Sequence, residues 1–244
     1  MNLVSNNLQP ADRKEPRYLA STGRRRGRRL RAGKQCLMDT ILPQVQIPAE
    51  FFTGMVNATQ LYGLFPAEVR SLFLEIGFGT GTHLAHLAQL YPCTGIIGCE
   101  PYIHGVGDLL RAIDEKKLGN VRVQDDDARE LLEKLPDAAL DKVFILYPDP
   151  WPKARHHKRR LISQPFLAML ARVMKPGSEL RLATDDEDYC TWMLERLTAC
   201  DAFKWQATCA DDWKNPPADW VSTRYEEKAL EAGRVPSYLN FTRL

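Results

Sequence analysis

The chain has 244 residues, 44% of them hydrophobic and 26% charged, with a formal net charge of +2, the balance of an ordinary soluble globular protein. It lacks the run of roughly 20 apolar residues that a bilayer span requires, and its N-terminus lacks the apolar segment of a signal peptide. Its six cysteines form no Cys-x-x-Cys pair, which argues against a zinc site and a disulfide framework and fits a reducing compartment, the cytoplasm.

Charge is spread unevenly. Residues 1–40 carry ten Lys or Arg against three Asp or Glu, whereas the remainder is slightly acidic. The block Arg24-Arg-Arg-Gly-Arg-Arg-Leu-Arg31 makes residues 1–40 a basic, flexible arm, and arginine-rich segments of this kind often order only on contact with RNA. Residues 41–244 form the folded domain. Its first stretch, 42–65, holds prolines and reads as a loosely structured approach. Strands are then predicted over 72–76, 95–99, 121–124, 142–146 and 179–183, and helices over 81–90, 104–117, 128–134, 164–174 and 187–198. Such alternation implies a doubly wound, Rossmann-like α/β fold, a parallel sheet wrapped on both faces by helices. Short β-like stretches over 204–208 and 238–243 flank a polar, Trp-bearing insertion at the end of the chain.

Glu75-Ile-Gly-Phe-Gly-Thr-Gly81 closes the first strand and opens the first helix. Gly77, Gly79 and Gly81 let the backbone approach a ligand and leave helix N–H groups facing it. Nicotinamide enzymes and S-adenosylmethionine (SAM) enzymes both use such a turn. Glu75 would repel a pyrophosphate but can pair with a cationic amino-acid headgroup. Glu100 ends the second strand, where a carboxylate accepts from ribose hydroxyls. The third strand runs into Asp125-Asp-Asp127, from which one carboxylate can bond an adenine amino group and another can cap the next helix. Three acidic strand ends around one glycine turn favour SAM over NAD.

The fourth strand delivers Tyr147-Pro-Asp-Pro-Trp-Pro-Lys153 at its carboxyl end, where open α/β sheets hold their ligands. Asp149 sits in a proline-stiffened aromatic corner, with Lys153, Arg155, Lys158, Arg159 and Arg160 directly after it. A carboxylate beside a cationic strip points to chemistry on a polyanion, nucleic acid being the expected one. Trp151 either stacks on a base or packs in the core. Amino-methyltransferases use an Asp/Asn-Pro-Pro-aromatic corner; the missing second proline argues against amine methylation. His156 and His157 read as phosphate or loop contacts, His83 and His86 as structural, and no metal is expected.

With these motifs, together with Ala183-Thr-Asp185 and Thr223-Arg-Tyr-Glu226, residues 70–244 closely resemble the bacterial tRNA (guanine-N7-)-methyltransferase family. The resemblance implies a mostly parallel seven-stranded sheet with an antiparallel C-terminal strand, SAM as cofactor, and methylation of N7 of the variable-loop guanosine, position 46, of tRNA. It makes Glu75, Glu100 and Asp127 SAM contacts and places Asp149 next to both methyl donor and guanine. Lys153, Asp185, Thr223, Arg224, Tyr225 and Glu226 match substrate-binding positions, and Arg155, Lys158, Arg159 and Arg160 would grip the RNA backbone. The last motif is commonly Thr-Lys-Phe-Glu, so Arg224 brings a planar fork where the family has a point charge. The family's bacterial members act alone, which implies a monomer or homodimer with no obligate protein partner.

The chemistry accounts for these residue types. Guanine N7 carries a free lone pair, so attack needs no general base. Methylation turns the neutral ring into a cation, and a carboxylate aimed at the guanine stabilises that charge. Asp149 suits this role, with Asp185 or Glu226 as further candidates. Rival readings are a methyltransferase acting on another RNA or base position, and a catalytically silent RNA-binding protein of the same fold.

Overall fold

The computed structural model describes Arg25 and residues 27–244; the rest of the basic arm, residues 1–24 and 26, lies outside the described residues. Strands β1 (Ser71–Ile76), β2 (Thr94–Cys99), β3 (Val121–Gln124), β4 (Leu140–Leu146), β5 (Met174–Thr184), β6 (Phe203–Trp205) and β7 (Ser237–Arg243) build one sheet in the order β3-β2-β1-β4-β5-β7-β6. β1 to β5 pair in parallel, and β7 runs antiparallel between β5 and β6. The expected doubly wound sheet is therefore the one observed. Its order reverses between β1 and β4, which opens a crevice at their carboxyl ends.

Helices α1 (Ala32–Thr40), α2 (Leu42–Val45) and α3 (Ala58–Tyr62) precede the sheet. α4 (Thr82–Leu90), α5 (Ile103–Lys116), α6 (Ala128–Lys134), α7 (Gln164–Val173) and α8 (Glu187–Thr198) alternate with its strands, and α9 (Asp211–Lys214) and α10 (Arg224–Glu231) lie in the C-terminal insertion. The period-2 alternation of each strand divides the core in two. Leu72, Leu74 and Ile76 of β1 face one layer with Leu131 of α6, Leu170 of α7 and Met193 of α8. Phe73 faces the other layer with Leu84 of α4 and Leu109 of α5. The central strands β1, β2 and β4 are buried on both faces over most of their length, so their sequences read as near-continuous apolar runs rather than alternating ones.

Two expectations need correction. The arm does not remain free up to residue 40. α1 packs on α5, held by Lys34, whose Nζ lies 2.7 Å from Asp108 and donates to the His104 carbonyl at 3.0 Å. The approach over 42–65 is also not loose. Leu42, Val45, Ile47, Phe51, Val56, Leu61 and Phe65 are all buried, and Gln46 forms a parallel bridge to Val123 at the edge of β3. Its prolines sit at helix starts, where a missing N–H costs nothing.

Candidate active site

The turn after β1 is left-handed at each of its three glycines: Gly77, Gly79 and Gly81 have φ of 75°, 55° and 74°, a region L side chains rarely adopt. α5 approaches the turn so closely that a Cβ on Gly105 would lie 2.2 Å from the Gly79 carbonyl oxygen. Glu100, at the end of β2, locks the turn from the side. Its carboxylate accepts from the Gly79 N–H at 2.9 Å and from the Tyr102 N–H at 2.8 Å. Burial raises the Glu100 pKa despite these two bonds, and the nearby charges of Asp149 and Glu75 push the same way.

Glu75 takes a different place from the one its motif position suggests. It shares a strand face with Phe73, so it points at α4 and meets His83 one residue inside that helix. The Glu75 carboxylate lies 2.8 Å from His83 Nδ1, and both groups are buried. Phe144 and Trp220 pack against the imidazole at ring distances of 4.8 and 5.9 Å. Glu75 lines a small cavity beneath Thr223, Arg224 and Tyr225 rather than the main cleft.

The three aspartates after β3 each have a separate partner. Asp125 accepts from Gln46 at 2.8 Å, and Asp126 pairs with Arg25 of the arm, whose Nη1 is 2.9 Å away. Asp127 caps α6 by accepting from the Arg129 N–H at 3.0 Å, and it also receives the Arg129 guanidinium. Only Asp127 of the three lines the main cleft.

That cleft, about 1420 Å³ in volume, runs from the glycine turn past Glu100 and Asp127 to the corner after β4. Tyr147 and Trp151 both have positive φ, 53° and 48°, a strained backbone that surrounding contacts must hold. Between them Asp149 reaches solvent at the cleft mouth, yet the walls strip enough water to raise its pKa. Trp151 lines the cleft with the Arg159 guanidinium 4.9 Å over its ring. The basic run continues as a 3₁₀ turn, Ala154–Arg159, with Lys153, Arg155, Lys158 and Arg159 exposed.

Arg160 departs from the strip. It is buried, with its guanidinium on Asp188 and its Nε donating to the Pro150 carbonyl at 2.8 Å, so it cannot reach an RNA backbone. Glu226 is a second correction. Thr223 and Glu226 form a capping box at the start of α10. Glu226 also accepts from Trp220 Nε1 at 2.7 Å and from the Tyr238 hydroxyl, and this buried, satisfied carboxylate has no path to a guanine. Asp185 is half-buried, lies outside the cleft and accepts from Arg234 at 2.6 Å. Arg224 and Tyr225 stay exposed on the cleft, and a Cβ on Gly79 would come within 2.9 Å of the Tyr225 ring.

Lys34, Tyr102, His104 and Lys228 also line the cleft. No sequence motif marks them: Lys34 falls within the basic arm, and Lys228 becomes a neighbour of Arg224 only through the i,i+4 spacing of α10. Paired acceptors at Glu100, N–H groups at a helix start and a long groove suit a nucleoside-bearing cofactor. Among the described residues, no group of three or more His, Cys, Asp or Glu is placed to hold a metal ion, and no helix is long and apolar enough to cross a membrane.

Residues 69–237 match the model of a family described as putative methyltransferases. A tRNA (guanine-N(7)-)-methyltransferase of Rhodospirillum rubrum is 48% identical over 223 residues, covering 91% of this chain and 86% of the relative. One from Agrobacterium fabrum is 46% identical over 221 residues, covering 91% and 94%. Among solved structures, TrmN from Thermus thermophilus aligns with a TM-score of 0.52 at 19% identity; the match covers 77% of this chain and 48% of TrmN, about half its length. An antibiotic-related methyltransferase aligns at 0.51 and 18% identity, covering 79% and 96%. At such identities the two structures speak for the fold alone.

Proposed function

The chain belongs to the tRNA (guanine-N(7)-)-methyltransferase family and transfers a methyl group to guanine N7 of tRNA; we propose that SAM is the donor and that the target is the variable-loop guanosine, position 46. A tRNA substrate also implies a cytoplasmic site of action. The observation that carries the assignment of roles is one cleft that unites the Glu100-locked glycine turn with the exposed, desolvated carboxylate of Asp149.

Bound in this cleft, SAM would supply an electrophilic methyl carbon on a sulfonium. Glu100 is oriented by two backbone donors and accepts from the ribose hydroxyls. Asp127 stands at the adenine end, already turned by its cap. Asp149 accepts from guanine N1–H or the 2-amino group, so its negative charge faces the ring that becomes cationic. Lys153, Arg155, Lys158 and Arg159 hold phosphates, and Arg224 and Tyr225 form the opposite wall. Alignment supplies the remainder of the rate, and positioning of this kind is worth about 7–11 kcal/mol. Glu75 contributes by fixing the base of the glycine turn through His83.

A tRNA carrying 7-deazaguanosine at the target position tests the chemistry. It presents carbon in place of N7 and is expected to accept no methyl group, while binding with the affinity of ordinary tRNA. Methylation of that RNA at any atom of the target base would refute N7 transfer.

A further inference from the structure

The last cation of the basic run is built into the protein rather than offered to solvent. The Arg160 side chain has 0% exposure. Its guanidinium lies 5.0 Å from the ring centre of Tyr189 and 4.9 Å from that of Trp192, both on α8. Nη2 donates to Asp188, and Nε donates to the carbonyl of Pro150, the residue directly after Asp149. We propose that Arg160 is a positioning residue: it pins the Pro150 carbonyl to α8 and so holds Asp149 in fixed register with the phosphate-gripping turn Ala154–Arg159.

Three features support this role. Proline has no N–H, so its carbonyl is the one backbone group through which position 150 can be tied by hydrogen bonding. The corner on either side has left-handed backbone at Tyr147 and Trp151, which persists only where contacts over-determine it. The turn is anchored to the same helix: the Arg160 N–H donates to the His157 carbonyl at 3.0 Å, and the His157 ring lies edge-on to Trp192 at 5.6 Å. One guanidinium fork therefore joins the catalytic corner, the RNA-gripping turn and α8. Lysine cannot reproduce this, because a point charge cannot serve a carbonyl and a carboxylate along two fixed directions.

The inference rests on the reading of Asp149 as the group that faces guanine, and the test separates the two. Arg160→Lys, Asp188→Asn, Asp149→Asn and the double variant Asp149→Asn/Arg160→Lys are compared by single-turnover methyl transfer at saturating tRNA and SAM. The salt dependence of tRNA affinity is measured in parallel, with Arg155→Ala as the reference for a lost phosphate contact. Arg160→Lys is expected to lose about 10–100-fold in rate, the scale of a displaced catalytic group, with an unchanged salt slope. Asp188→Asn should show the same pattern more weakly, and being exposed it remains informative if Arg160→Lys does not fold. In the double variant the Arg160 change should add little to the Asp149 loss, since both act through one group.

A wild-type rate in Arg160→Lys, or in Asp188→Asn where Arg160→Lys does not fold, would overturn the positioning role. A double variant with fully additive losses would do the same. Arg160→Met, which removes the charge, is added to the salt series: a slope lowered by about 0.7–0.9, as Arg155→Ala should show, would return Arg160 to the RNA backbone. Full activity in Asp149→Asn would instead remove the reading on which the proposal rests.

Discussion

With Asp149 replaced by Asn, single-turnover methyl transfer is expected to fall about 10²–10³-fold, the loss seen when one preorganised electrostatic partner of a transition state is removed, while SAM affinity changes little. Asn keeps the size and the acceptor oxygen of Asp, so the loss isolates charge. The ring is neutral before transfer and cationic after it, so a carboxylate gains interaction energy as the reaction proceeds, whereas an amide gains far less. Raised by desolvation, the Asp149 pKa also predicts an acid limb. Activity needs the ionised form, so the rate falls as pH drops through a value above that of an ordinary aspartate. That limb should vanish from the residual activity of Asp149→Asn.

Glu100→Gln is expected to weaken SAM binding about 10–100-fold, since a hydrogen bond to a charged group contributes about 1.5–3 kcal/mol. The cause is specific. Two backbone N–H groups, from Gly79 and Tyr102, point at the two carboxylate oxygens. An amide must turn its NH₂ toward one of them, which leaves a buried donor facing another donor and loosens the glycine turn. The charge also matters for pH. Because burial raises the Glu100 pKa, cofactor affinity is retained above that raised value and lost as pH falls through it. The free protein behaves oppositely: a raised carboxyl pKa means that protonation favours the folded state, so acidification through this window should not itself unfold it. Isothermal titration of SAM against pH reads the first effect, and thermal unfolding of the free protein over the same pH range reads the second.

The sheet and its ligand end were legible in the sequence because the buried central strands leave near-continuous apolar runs and glycines mark the turn between strand and helix. Individual side chains were less so. Glu75 sits inside the motif, but strand alternation puts it on the face of Phe73 and hence against α4, a direction the motif alone does not carry. Thr223-x-x-Glu226 is itself a capping-box pattern, and that pattern was the available clue that Glu226 serves the backbone of α10. Arg160 carried no comparable clue. In a run of five cations over eight positions, nothing local tells which one turns inward, and only the tertiary placement of Tyr189 and Trp192 decides it. The docking of the arm's last segment is hidden for a related reason. α1 has no fully buried residue: Leu37 and Met38 pack only half-buried against the core, too short an apolar stripe to stand out, and the Lys34 stem with its polar partners completes the docking.

Incubating the protein with unmodified tRNA and labelled SAM, then digesting the RNA and locating the labelled nucleoside, tests the central claim most directly. The expected product is 7-methylguanosine at the variable-loop position, with the initial rate of labelling about 10²–10³-fold lower when Asp149 is replaced by Asn. Label on another base, on an exocyclic amine or outside the variable loop would contradict the account.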